Sequence, residues 1–518
     1  MSEERQPVKY LYGASVQGIQ SFIMDTNDLK SIIGASELVE QVCTTMFDEF
    51  ANDCKSIVRA AGNIKVMFDN EDDCRRAVHE FPKKVTLAAP GITISQAVIR
   101  LENFDKDNDF GDAIDRLENA LRVERNKPSN PVFAGVTGML RSRRTGRPAT
   151  QEKNGEYLDL ATVRKLNALA GKNGKQDYSK LISKFSQGVK HDTGQGVEQV
   201  IAPDAFPTEL SRLTGDNDWL AIIHADGNGF GLIVQEIGKL YDLFPEFSKA
   251  IDECTSAAAK EALTSMRFGD TVPIRPVVLS GDDLTVICRA DCAMEFTRAF
   301  LEKFHEQTEA RMTELARKYS SSLDDRKMRI LKSGLTACAG IAYMKSSYPF
   351  YYGYNLAETL CGIAKKDSKS RIKNDIVPAS LAFYRINDSY IHDFSRMKAR
   401  ELEIDVSERE RISLFYGPYY LESENGRWTI DNLREKVASL ETKNNVKSDL
   451  RHWISLLYSD TGNAAQFLKR TKDINKDDTE AMNLLNELTK ERIEGQVKAY
   501  PAYDVLSCFT FKNQKTKE

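Results

Sequence analysis

The same order of elements occurs twice in this chain, and that restricts the fold more than any other feature. The first copy opens on a strand-like run, Tyr10-Leu-Tyr-Gly-Ala-Ser-Val-Gln-Gly18, followed by a helical stretch over about 29–54. Ser56 to Phe68 then reads as two β-rich runs around a Gly62-Asn63 turn, the pattern of a tight hairpin. A helix over about 72–84 and a strand over about 92–99 complete βαββαβ. The second copy repeats the order. Trp219 to Asp226 is a strand, Gly227-Asn-Gly-Phe-Gly231 leads into helix, and Pro276 to Cys288 is a hairpin turning at Gly281-Asp282-Asp283. A helix over about 293–319 and the strand Leu335 to Ala342 close it. A repeat of about 210 residues is a domain duplication and not a solenoid. Each copy predicts an α+β, ferredoxin-like split βαβ sheet with its helices on one face.

Composition sets the remaining limits. At roughly 150 residues per domain, 518 residues make three or four domains with more than one core. Hydrophobic residues are 41% and charged residues 29%, an ordinary globular balance. A net charge of −4 excludes a generally basic nucleic-acid-binding chain and leaves only local patches. No run approaches roughly 18 apolar residues, so no membrane association is expected. The polar first nine residues hold no signal-peptide core, and nine scattered Cys suit reduced thiols. A cytoplasmic location is expected.

The expected organisation is a first βαββαβ domain at 1–105, an intervening α-rich linker at 106–217, a second βαββαβ domain at 218–390 and a C-terminal helical bundle at 391–518. The linker carries a basic stretch, Arg141-Ser-Arg-Arg144 with Arg147, suited to RNA backbone or to a solvated loop. The bundle rests on helical spacing through Leu433, Val437 and Leu440 and through Trp453, Leu456 and Leu457. The last residues, 512–518, are expected to fray.

Chemistry concentrates in the second copy. Asp226 ends one strand, and Asp282 and Asp283 sit at the tip of the hairpin expected beside it. Three carboxylates meeting at one sheet edge repel, and a hard divalent cation resolves the repulsion through oxygen ligands. Asp226, Asp282 and Asp283 are therefore candidate catalytic residues, and with the Gly227 backbone they are candidate metal ligands. The loop Gly227, Asn228, Gly229, Phe230 exposes amides ahead of a helix, which suits phosphate. Lys365 and Lys366, with Lys369 and Arg371 nearby, could neutralise phosphate charge or face solvent. Gly-Asp-Asp alone is also an ordinary turn; the weight lies in strand-Asp, Gly-rich loop and hairpin-Asp-Asp occurring together.

These residues also carry a family resemblance. Gly18-Ile-Gln-Ser-Phe22, Ile33-Gly-Ala-Ser-Glu37, Ala61-Gly-Asn63, Asp226-Gly-Asn-Gly229, Ser280-Gly-Asp-Asp283 and the run from Tyr348-Pro349 to Ala364-Lys365 resemble the large two-palm subunit of type III CRISPR effector complexes. The resemblance spans most of the chain. It implies a CRISPR polymerase joining ATP into cyclic oligoadenylates with release of pyrophosphate in antiviral defence. It further implies two Mg²⁺ or Mn²⁺ ions on Asp226, Asp282 and Asp283. Ser280, Gly281, Lys365 and Lys366 would lie at the nucleotide, and the partners would be other effector subunits and guide or target RNA. A standalone nucleotide cyclase, an AMP ligase with another acceptor, and a non-catalytic RNA-binding scaffold remain as alternatives.

Three departures carry expectations. Ser280 stands where the family motif starts with Gly, with little expected effect. No HD nuclease is expected, because few residues precede the first strand and the dipeptides His191-Asp192 and His392-Asp393 are isolated. No zinc ribbon is expected, because no Cys lies between Cys74 and Cys254; Cys288 and Cys292 read as a strand and a surface cysteine. Aligning the hairpins sets Asn63 against Asp282 and Gln17, or a neighbour, near Asp226. The first copy then lacks metal ligands, and Asn63 and Ser15 are left to contact a base or ribose, or to serve the turn.

Overall fold

The computed structural model describes residues 8–51, 54–60, 62–127, 138–169, 180–192, 198–214, 218–372, 376–387 and 393–511. Ala61, His392 and the terminal residues 512–518 lie outside them.

The first palm contains β1 (Lys9–Gln17), α1 (Leu29–Cys43), β2 (Cys54–Ala60), β3 (Asn63–Phe68), α2 (Glu71–Ala88) and β4 (Thr93–Leu101). Its antiparallel sheet runs β2-β3-β1-β4, the split βαβ order. Helix starts follow local chemistry. Asp28 caps α1 by accepting from the Ser31 amide at 3.0 Å, and Asn70 caps α2 at Asp73 at 2.8 Å. Three acidic residues in the first turn of α2 favour its positive end.

One expectation fails here: the helices do not lie on one face only. Tyr12 points to α2, where its ring joins the Phe47, Phe68 and Phe81 cluster. The next residue, Gly13, points the other way, against Leu117 of a further helix, α3 (Phe110–Arg125). That helix buries Phe110, Ala113, Ile114, Leu117 and Leu121, so apolar side chains on the second face have a cover. α3 thus packs on the first palm's sheet from beyond residue 105.

The intervening region combines helices with two short hairpins. It holds the hairpin Ala149–Lys153/Glu156–Asp159, α4 (Leu160–Ala168), α5 (Lys180–Ser186) and the hairpin Lys190–Asp192/Glu198–Val200. Two arginines of its basic stretch pair with carboxylates, Arg144 with Asp28 and Glu156, both at 2.6 Å, and Arg147 with Asp25 at 2.7 Å, while Arg141 donates to the Gly146 carbonyl at 2.8 Å. These pairs fasten the region to the first palm and occupy cations expected to suit RNA.

The second palm contains β5 (Trp219–Gly227), α6 (Phe230–Ile237), α7 (Leu243–Thr264), β6 (Ile274–Ser280), β7 (Asp283–Arg289), α8 (Ala293–Lys318), β8 (Ala337–Lys345), α9 (Phe350–Lys369) and β9 (Ser380–Arg385). The sheet order is β6-β7-β5-β8-β9, followed by the short strand Tyr419–Tyr420. β9 runs parallel to β8 and extends the four-stranded core. α9 follows the fourth strand, as α3 does in the first palm, so the duplicated unit is βαββαβα.

The C-terminal region holds the expected helices, among them Ile430–Thr442, Asn444–Ser459 and Thr461–Ile474. It also holds an unexpected four-stranded sheet built from Glu403–Ser407, Glu410–Ser413, Arg492–Glu494 and Val497–Ala499. Cys292 is buried at 8% exposure, not a surface residue. Among the described residues no helix is long and apolar enough to cross a membrane.

Candidate active site at the rim of the second palm

Strand pairing brings the carboxylates together. Ala225 of β5 pairs with Leu284 of β7, so the next step sets Asp226 level with Asp283. Carboxylate oxygens of Asp226 and Asp283 and a ring nitrogen of His224 lie within 4.8 Å of one another. Asp282, in the turn, lies on the Gly227 side. A Cβ on Gly227 would sit 2.7 Å from Asp282 Oδ2 and 2.9 Å from its Cβ, so only glycine allows this approach.

The turn is fixed from behind. The Gly281 N–H donates to Asp252 Oδ1 at 3.2 Å, and the Gly281 carbonyl accepts from Thr255 Oγ1 at 2.6 Å, both on α7. Gly281 has φ +63°, as the turn requires. Ser280 is buried at its base.

Lys365 reaches the rim from α9. Its ammonium donates to the Asp226 carboxylate, and to the Gly227 carbonyl at 2.9 Å. Burial opposes its charge, but Asp226 more than offsets this and its pKa is raised. α9 comes this close because β8 carries Gly340 beneath it; a Cβ there would overlap the Ala357 carbonyl. Lys366 is exposed, and Arg371 turns to Asp367 at 3.1 Å and the Asn425 carbonyl at 3.1 Å.

The electrostatics are those of an under-neutralised acidic cluster. Burial, then Asp226, pushes Asp282 up to about 7. Burial, then Asp282 and Asp226, raises Asp283 well above the usual carboxylate range. Such crowding is relieved by a proton or a cation. The donor set of two carboxylates, an adjacent backbone carbonyl and an imidazole fits a divalent ion.

The Gly-rich loop divides by role. Gly229 (φ +72°) starts α6 with no side-chain cap, so first-turn amides lack a side-chain acceptor. Asn228 turns inward. It is 4% exposed, its N–H donates to the Thr336 carbonyl at 2.8 Å and its Nδ2 to Thr336 Oγ1 at 3.0 Å. Phe230 stacks on Phe247, with centroids 6.1 Å apart. Both anchor the loop.

Two residues escaped the sequence reading. His224 precedes Asp226 by two on a strand and so shares its face, a signal the period of two contains. Burial lowers its pKa to about 4, so the imidazole is neutral. Arg125 ends α3 and donates to Ser15 Oγ at 3.1 Å, as Lys365 of α9 donates to Asp226.

The register also corrects the hairpin alignment. Ala60 pairs with Asn63 as Ser280 pairs with Asp283, and Ser15 pairs with Asn63. Asn63 is thus the counterpart of Asp283, not Asp282, and Ser15, not Gln17, is the counterpart of Asp226. Ser15 Oγ donates to Asn63 Oδ1 at 3.2 Å, so these side chains bond each other where the second palm has carboxylates.

Comparisons with known proteins agree with this architecture. Residues 219–376 match the Cas10/Cmr2 second palm domain. A Csm1-Csm4 cassette in complex with cA4 superposes with a TM-score of 0.52 and 15% identity, over 98% of this chain and 70% of that one. A cassette in complex with AMPPNP gives 0.53 and 15% over the same shares. The Csm1-Csm4 subcomplex of the type III-A CRISPR-Csm interference complex gives 0.52 and 14%, over 97% and 70%. At these identities the likeness is one of fold. A sequence search of curated proteins finds no match. The chain thus carries a Cas10/Cmr2 second palm domain over residues 219–376 and shares the fold of the large Csm1 subunit along its length.

Proposed function

We propose that the chain is a metal-dependent nucleotidyltransferase that joins ATP into oligoadenylates, cyclic ones included, within a CRISPR effector assembly. The observation that carries this reading is the convergence of Asp226, Asp282 and Asp283 on one rim, with Lys365 reaching them from α9. Solved relatives of the same fold are described in complex with ATP, pppApA, cA3 and cA4, which supports adenylate chemistry. They are also described with Csm4, which supports a comparable partner subunit here. Guide or target RNA is a further expected partner.

In this reading Asp226 and Asp283, with Asp282 and the Gly227 carbonyl beside them, would hold Mg²⁺ or Mn²⁺, as a pair in the full reading, which would supply the charge that activates a 3′-hydroxyl and stabilises a leaving pyrophosphate. Lys365 supplies positive charge at the phosphates once it leaves Asp226. Amides at the start of α6 are placed for the triphosphate. Gly281 and Ser280 fix the turn, and the two palms face each other so that two nucleotides can meet. Positioning and electrostatics provide the rate.

The test is incubation of the purified protein with each NTP and Mg²⁺ or Mn²⁺, with and without partner subunits and target RNA, followed by mass spectrometry. ATP-derived oligoadenylates are expected, and Asp282→Ala/Asp283→Ala should abolish them with the fold retained. Equal products from that double variant would overturn the assignment.

A further inference from the structure

We propose that His224 supplies a nitrogen ligand to the cation held by Asp226 and Asp283, so that the site prefers Mn²⁺ over Mg²⁺. The inference rests on the metal-binding part of the reading above and adds a ligand and a selectivity to it.

Three observations converge. The ring nitrogen and the two carboxylate oxygens share a radius that one ion can span, since all lie within 4.8 Å of one another. The ring is held at two points. Nδ1 meets Thr285 Oγ1 at 3.1 Å, and the ring edge packs on Tyr354, with centroids 5.5 Å apart and planes at 68°. An imidazole tied at one nitrogen presents the other in a fixed direction, as metal-bound histidines do. Finally, a cavity of about 70 Å³ is lined by both His224 and Asp283, so these two side chains border one common space.

The selectivity follows from ligand chemistry. Mg²⁺ demands near-octahedral oxygen donors and gives up its waters reluctantly. Mn²⁺ is larger, and as a first-row transition metal it tolerates a nitrogen donor beside carboxylates better than Mg²⁺ does. A histidine kept only for packing would gain nothing from proximity to two carboxylates.

Pulsed EPR of Mn²⁺ bound to the full chain tests this. The expected wild-type spectrum shows ¹⁴N modulation from a directly bound imidazole, changed to the ¹⁵N pattern by ¹⁵N-histidine. The modulation should vanish in His224→Gln. Mn²⁺ affinity should fall about tenfold or more in that variant, while Mg²⁺ affinity, measured by competition, shifts less than about threefold. Wild-type protein with bound Mn²⁺ and no nitrogen coupling overturns the proposal, as does coupling that survives His224→Gln. The wild-type spectrum decides even if the variant misfolds. Failure of the underlying reading looks different: Mn²⁺ then binds as tightly to Asp226→Asn/Asp283→Asn as to wild type, or not at all. Oligoadenylate synthesis without nitrogen coupling keeps the transferase and removes His224 from it.

Discussion

Asp226, Asp282 and Asp283 are held together by backbone geometry against their own repulsion, and Gly227 is the residue that permits the closest approach. Gly227→Ala would push Asp282 away by its carboxylate and its Cβ. Misplacement of a reacting group by about 1 Å can cost about 10²-fold. Oligoadenylate yield is expected to fall on that order, with little change in melting temperature, measured by mass spectrometry and calorimetry on the same sample. A second buried carboxylate makes a cleaner titration. Asp504 Oδ2 accepts from Tyr419 Oη at 2.7 Å, the Tyr416 N–H at 3.1 Å and the Gly417 N–H at 3.3 Å. Burial nonetheless pushes its pKa up to about 7, against 3.8 when unburied. A raised carboxyl pKa means that the folded state holds its proton longer than the unfolded state. Its contribution to stability is therefore complete below about pH 4 and is lost as pH rises to about 7, by at most about 1.4 kcal/mol per pH unit. Asp504→Asn keeps an acceptor and removes the charge. The variant should gain on wild type in denaturant midpoint as pH rises from 5 to 7.5; parallel curves for both proteins would contradict this.

α9 is the element on which the site depends. It is let down onto the sheet by Gly340 and tied at its far end by Asp367, two residues after Lys365. Arg427 donates to Asp367 at 2.6 Å, and Tyr420 and Arg371 also donate to it. Burial works against the Asp367 charge, but Tyr420 and Arg427 hold its carboxyl below the usual range. The C-terminal region thus fixes the helix that delivers Lys365. Gly340→Ala is expected to destabilise the protein by about 1–3 kcal/mol, because the obstacle is helix backbone and cannot rotate aside. Urea unfolding gives the magnitude, and oligoadenylate yield should fall with it as Lys365 withdraws. The hairpins and first strands of both palms were legible because tight turns and β-rich runs are local signals. α3 and α9 as matching covers on the second face were not. An amphipathic helix announces a buried side but not the sheet it buries against.

At the scale of the molecule, the palms meet through polar pins as well as apolar packing. Ser36 donates to the Val277 carbonyl, and Lys184 reaches Glu40 at 2.8 Å on one palm and Asp252 at 3.3 Å on the other. Arg275 is 3% exposed on β6, and burial lowers its pKa to about 9 despite the opposing charge of Glu37 on α1, itself 5% exposed. Glu37 and Arg275 attract across the interface, so removing one leaves the other's buried charge less compensated, whereas replacing both with apolar residues is often neutral. Glu37→Ala should therefore lower the unfolding free energy, while Glu37→Leu/Arg275→Met should recover most of the loss. Chemical denaturation of the three proteins decides, and an additive loss in the double variant would count against an interfacial pair.

The sequence by itself determined the duplication, the split βαβ order and the three carboxylates of the second copy, because each is carried by neighbouring residues or by spacing along a strand. Tertiary structure decided the rest. Strand register matched Ser15 and Asn63, not Gln17 and Asn63, to the acidic pair, since a tight turn fixes only its own residues and pairing fixes the partner. The close approach of α9 brought Lys365 to Asp226, and the approach of α3 brought Arg125 to Ser15. Packing against the first palm set Arg144 and Arg147 of the basic stretch in ion pairs. These are contacts between residues far apart in the chain, and which ones form depends on the distances that the folded core imposes.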